Sequence, residues 1–280
     1  MKNHILVLLL TSLTLSFGMT QLSAQSKAQQ VRTVPLTIGE TVKIYSKQLK
    51  EERALNIYLP QGYSPDSAKT YPVIYLLDGS LDEDFIHITG VVQFGSFSWI
   101  NMLPESIVVG IANIDRKRDF TYPTRNEIDK KYVPTGGGSA KFIDFIATEV
   151  KPLIQQQYKT DTITTIIGQS LGGLLATEIL YKQPDLFDNY IIVSPSLWWD
   201  EESLLQADPI TYTSPKNIYI AVGKEGAVME RLARALHVKL ATLQKKNTRL
   251  FFKFLEQQDH GDALHLAVYD AFEKIFAKPK

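Results

Sequence analysis

A chain of 280 residues is long enough for one large α/β domain with a well-buried core, or for two small domains. Lys and Arg together number 30, as do Asp and Glu, so no basic excess is available to hold nucleic acid or an anionic membrane. Cysteine is absent, which excludes disulfides, thiolate metal sites, a cysteine nucleophile and a lipid-modified N-terminal cysteine.

The first stretch reads as a targeting segment. Lys2 supplies a positive start, residues 5–17 are apolar apart from Thr and Ser, and Leu22-Ser23-Ala24 ends on small residues. This pattern predicts a signal peptide over 1–24 and a flexible lead-in over 25–33, followed by a single domain over 34–280. The apolar run is short for a membrane anchor and no charged stop-transfer flank follows it. The expectation is therefore a periplasmic or secreted protein with no membrane span in its mature form.

Residues 34–45 and 53–59 read as an antiparallel pair, the second alternating Leu55, Ile57, Leu59 against Asn56, Tyr58. Residues 71–77 form a buried strand ending at Asp78-Gly79-Ser80, and 107–111 a second one leading to Ala112-Asn113. A helix is expected over 85–99. Residues 115–139 hold no period, and a long loop in a compact domain is commonly functional. Residues 140–158 carry Phe142, Phe145, Ile146, Val150, Leu153 and Ile154 on one helical side, with Pro152 positioned to bend it. Strands follow at 163–167, 190–193, 217–222 and 249–255, and helices at 174–181, 227–243 and from the Glu256–Asp262 stretch through Phe276. Alternation of strand and helix predicts a mostly parallel central sheet with helices on both faces, an antiparallel N-terminal hairpin at one edge, and no large cap domain. Ligands bind such sheets at the carboxyl ends of the strands.

One stretch carries chemistry. The β-branched run at 163–167 passes directly into Gly168-Gln169-Ser170-Leu171-Gly172 and then into a helix. Strand, G-x-S-x-G, helix is the nucleophile elbow of α/β-hydrolases. The turn that lifts a serine clear of the backbone is tight, so Gly is expected at both 168 and 172, and Gly173 lets the helix begin close to the strand. The helix start also presents free N–H groups, Leu171's among them, to a carbonyl oxygen that turns negative. A serine hydroxyl needs a base and a group that orients the base, and here the chain order is Ser, acid, His. Of His237, His260 and His265, His260 is favoured because it follows the last strand and precedes a Gly. Glu225 is the first carboxylate after the strand at 217–222, with Asp200, Asp259 and Asp262 as fallbacks. The second oxyanion donor is expected at Gly79 or Ser80. Trp198 and Trp199 are candidates to wall a substrate ring, and Arg116 and Arg118 to bind an anionic group.

Taken together, YLLDGS, the R-x-R-D run at 116–119, GQSLGG, SPSLWW, VGKEG and DHGDALHLA resemble the "putative esterase" family of α/β-hydrolases over most of residues 37–276. That family includes esterase D, feruloyl and acetyl-xylan esterases and siderophore trilactone esterases, and the LLDG, R-x-R-D and SPSLWW elements look closest to the siderophore branch. The resemblance implies Ser170 as nucleophile, His260 as base, Glu225 as third member, and Ser80 with Leu171 as the oxyanion pair. Two positions depart from it: Asp78-Gly79 stands where many relatives have His-Gly, and Glu225 where many have Asp.

The expected function is an exported serine esterase acting on a small-molecule ester through an acyl-enzyme, with no metal and no cofactor. The rivals are an acyltransferase on the same elbow, a feruloyl or acetyl-xylan type of esterase, and a binding protein that kept the fold without the chemistry. No helix face is apolar enough to argue for an oligomer.

Overall fold

Apolar residues along the central strands sort alternately onto two faces, and that period of two builds the core. A computed structural model describes residues 32–243 and 246–276. In it an eight-stranded sheet runs in the order β1-β2-β4-β3-β5-β6-β7-β8. The strands are β1 Gly39–Ser46, β2 Glu51–Tyr58, β3 Tyr71–Leu76, β4 Ile107–Ile111, β5 Thr160–Gln169, β6 Asn189–Val193, β7 Lys216–Gly223 and β8 Thr248–Leu255. The pairs β1/β2 and β2/β4 are antiparallel, and all pairs from β4 through β8 are parallel. This is the α/β-hydrolase architecture expected from the sequence, and within Thr37–Lys280 it forms one compact unit.

Val73, Tyr75, Ile166, Tyr190, Ile192, Ile218 and Ile220 face one layer, which includes α6 (Leu171–Lys182) and α8 (Ala227–Thr242). Ile74, Leu76, Ile167, Ile191, Tyr219 and Ala221 face the other, where α1 (Phe85–Ser96) packs with α9 (Ala263–Phe276). With both faces covered, only the strand ends are left for a site.

Several expectations shift. The first strand begins at Gly39 rather than 34; residues 32–36 carry no strand, and Pro35 has no N–H for a ladder. The aperiodic stretch 115–139 holds two short helices, α2 (Arg116–Phe120) and α3 (Glu127–Tyr132). The Asp115 carboxylate accepts from the Arg118 N–H at 3.0 Å, and the Asn126 side chain from the Ile128 N–H at 2.7 Å. Helices this short show no periodicity, so their caps are their only sequence signal. The long helix is interrupted. Between α4 (Ser139–Phe145) and α5 (Lys151–Gln157) lies a π-helical turn, Ile146–Val150, next to Pro152, whose ring cannot donate and crowds the carbonyl one turn back. A further helix, α7 (Trp199–Gln206), has left-handed backbone at Asp200, Glu201 and Glu202, which hides it from any helical pattern. No cap domain is inserted after β6 among the described residues.

The proposed leader at 1–24 and most of the lead-in lie outside the described residues. No helix among the described residues is long and apolar enough to cross a membrane.

Candidate active site

The turn from β5 into α6 sets the geometry. Ser170 sits at φ 59°, ψ −119°, a backbone state that L-residues avoid and that turns its side chain out of the strand. A Cβ on Gly168 would lie 2.4 Å from the Gly172 carbonyl oxygen, so a side chain there would block the turn. Gly172 itself has room, its nearest contact being 3.4 Å from Asp78 Oδ2. The tight second position is instead Gly173, where a Cβ would come within 2.9 Å of the Val193 carbonyl oxygen. The expectation that the tight turn demands Gly at both 168 and 172 thus holds at 168 only.

His260 and Glu225 meet at the ends of β8 and β7. His260 Nδ1 lies 2.5 Å from Glu225 Oε2. The other carboxylate oxygen, Oε1, accepts from the Ser194 hydroxyl and from the Gly223 N–H at 2.9 Å. Burial raises the Glu225 pKa, but the hydrogen bonds from His260, Ser194 and Gly223 outweigh it and hold the carboxyl below its ordinary range. The bond to Glu225 lifts His260 above the ordinary imidazole value, against burial and the nearby Arg116 charge. Gln169 Nε2 donates to the His260 carbonyl at 2.6 Å, which ties the histidine loop to the residue before Ser170. Ser170 Oγ rests 3.3 Å from Ser196 Oγ.

The remaining candidates divide. The Ser170 N–H is held by the Val193 carbonyl at 3.1 Å, and Leu171 opens α6, where the first N–H groups have no helical acceptor. Gly79 cannot supply an oxyanion donor, because its N–H is spent on the Ile111 carbonyl at 3.0 Å. The Ser80 N–H donates to the Glu83 carboxylate at 3.2 Å. Arg116 is clamped by Asp78 through Nε at 2.6 Å and Nη2 at 2.9 Å, and also reaches the Gln169 carbonyl at 3.3 Å, so it stays at the elbow with much of its charge balanced.

Arg118 is not an anion binder. Its guanidinium is bound by Asp119 at 2.7 Å and by Glu51 at 2.6 Å, in a network with the fully buried Arg53. Trp199 does not wall a substrate: it is 0% exposed, and its indole N–H donates to the Tyr122 carbonyl at 2.8 Å. Trp198 is 38% exposed. Asp200 accepts from Thr124 and the Arg125 N–H, and Asp259 and Asp262 cap their own loop, so these fallback acids are engaged elsewhere. His265 packs against His87 with tilted rings 5.1 Å apart between centres, and His237 against Phe252 in the same way at 5.4 Å.

Sequence reasoning passed over Gln169, Ser194 and Ser196. All three lie where β5 and β6 end, the strand-end position that singled out the other candidates. No group of three or more His, Cys, Asp or Glu suited to a metal ion occurs among the described residues.

Comparison with known proteins adds an independent line. Residues 46–274 match the model of the family described as "Putative esterase". The chain is 30% identical over 259 residues to ferri-bacillibactin esterase BesA of Bacillus subtilis, covering 84% of this chain and 88% of that one. Among solved structures it resembles an IroE-like serine hydrolase from Shewanella oneidensis, with TM-score 0.75 and 31% identity over 85% of this chain and 80% of the other. It also resembles a BES protein from Bacillus cereus, with TM-score 0.74 and 27% identity over 87% and 97% of the two chains.

Proposed function

Because this chain belongs to the "Putative esterase" family of α/β-hydrolases and is a carboxylic ester hydrolase, we propose that it is an exported serine esterase that opens siderophore-type trilactones or similar acyl esters through an acyl-enzyme. The observation that carries the serine mechanism is the Glu225–His260 pair, tethered by Gln169 to the strained Ser170 elbow. Similarity to a ferri-bacillibactin esterase supports the substrate class, and the Lys2-led apolar segment supports export.

His260 Nε2 takes the Ser170 proton as Oγ bonds to the ester carbon. The Glu225 carboxylate accepts from Nδ1–H and stabilises the imidazolium. The carbonyl oxygen, now an oxyanion, is held by the Leu171 and Ser80 N–H groups, each worth roughly 10²–10³ in rate. The tetrahedral species collapses, the C–O bond to the alcohol breaks, and the alcohol leaves with the proton from His260. Water then attacks the acyl-Ser170 carbonyl by the same route and releases the acid. Arg116 and Trp198 stand as candidates for substrate contact at the rim.

The direct test incubates purified protein with a cyclic trilactone of acylated serine units and follows ring opening by liquid chromatography and mass spectrometry. Stepwise linear products support the reading. Acetyl or feruloyl esters cleaved while the trilactone stays intact would move the protein to the plant-wall branch of the family, and products formed only with an added acceptor alcohol would make it an acyltransferase.

The pH dependence carries its own expectation. The base must be neutral to accept the serine proton, and His260 is raised by Glu225. Activity is then lost as pH falls through that raised value, so the acid limb of kcat/KM should lie above the ordinary imidazole value of about 6.5. A limb below that value contradicts the pairing.

A further inference from the structure

The segment Ser194-Pro195-Ser196 at the end of β6 arches between the two halves of the site. Ser194 has φ 45°, is fully buried, and donates its N–H to the Ala221 carbonyl at 2.7 Å. That left-handed turn, costly for a residue with a Cβ, aims its hydroxyl at Glu225 Oε1, the oxygen that His260 does not use. Two residues on, the Ser196 N–H donates to the Ser170 carbonyl at 3.0 Å, and Ser196 Oγ meets Ser170 Oγ. Pro195 packs on Gly173, the close approach that seats α6. A single turn therefore touches the acid at one end and the nucleophile at the other.

We propose that Ser194 is a positioning residue, which fixes the Glu225 carboxylate so that its other oxygen meets His260 Nδ1. The inference rests on the serine-esterase reading above. A carboxylate on a flexible stem needs both oxygens anchored if one is to hold an imidazole in line. The Gly223 N–H alone would leave Oε1 free to rotate about a single contact. Besides Glu225, the charges facing His260 are Arg116 and Asp259, and the substitution below touches neither.

Ser194→Gly is the informative change, because glycine accepts a φ of 45° without strain while the hydroxyl is lost. The expected result is a fall in kcat of about 10- to 100-fold, with KM within about twofold. The acid limb of kcat/KM should also move to lower pH, as His260 loses part of the bond that raises it. In a Glu225→Ala background Ser194→Gly should change nothing further, since residues that act as one unit are not additive. Unchanged kcat and an unmoved limb in Ser194→Gly, or an equal loss in both backgrounds, would overturn the proposal. If the glycine variant does not fold, Ser194→Ala is measured in the same two backgrounds. Full activity in Glu225→Ala alone would instead remove the triad reading, so the two failures are distinct.

Discussion

Ser170→Ala is expected to lower kcat on a simple aryl ester by on the order of 10⁵ to 10⁶, leaving only the weak catalysis that binding and oxyanion donors supply. The size follows from the mechanism. Without Oγ there is no atom to form the acyl bond, and the Glu225–His260 pair has no proton to move. The fold should persist. Alanine at 170 keeps the same left-handed backbone, and the change removes a 3.3 Å hydrogen bond between the Ser170 and Ser196 hydroxyls. Its unfolding free energy should therefore stay within about 0.5 kcal/mol of the parent, read by urea titration. Activity within tenfold of the parent would remove Ser170 from the mechanism.

The largest expected effect on stability lies away from the chemistry. Arg53 of β2 and Asp119 of α2 are both fully buried and pair at 2.7 Å, with Arg53 also bonding Glu51 at 2.9 Å and the Ala112 carbonyl at 2.9 Å. The guanidinium lies over the rings of Phe142 and Phe145 at 5.2 and 5.8 Å. Asp119→Ala leaves a buried cation short of its closest partner, a change that costs roughly 3 to 5 kcal/mol where no other anion remains. Glu51 stays, so a loss near 3 kcal/mol is expected, seen as a lower urea midpoint. Replacing the pair together, Arg53→Met with Asp119→Leu, should recover most of that loss, because an apolar pair carries no desolvation penalty. A loss below about 0.5 kcal/mol in the single variant would mean that the cation is paired well enough without Asp119.

The central strands were legible because β-branched and aromatic residues dominate their buried runs, and Ile107–Ile111 has the bounds read from the sequence. The elements that escaped are those held by single side chains. Asp115 and Asn126 start two helices too short to show a period, and three left-handed residues break α7. At the site, the G-x-S-x-G motif nominated Ser170, and position after the last two strands nominated Glu225 and His260. Direction was not legible. Nothing in R-x-R-D shows that Arg116 turns to Asp78 at the elbow while Arg118 turns to Asp119 and Glu51. Likewise, adjacent tryptophans do not show that Trp199 goes to the core while Trp198 stays at the surface. The Ser194 hydroxyl belongs to the same class, because its importance comes from a positive φ that serine does not announce.

That Ser170 is an activated nucleophile is tested most directly by mass spectrometry after treatment with a fluorophosphonate probe. One adduct per chain is expected, on the peptide that contains Ser170, formed faster as pH rises through the His260 value. A folded protein that takes no adduct, or takes it at another residue, would contradict the assignment of Ser170.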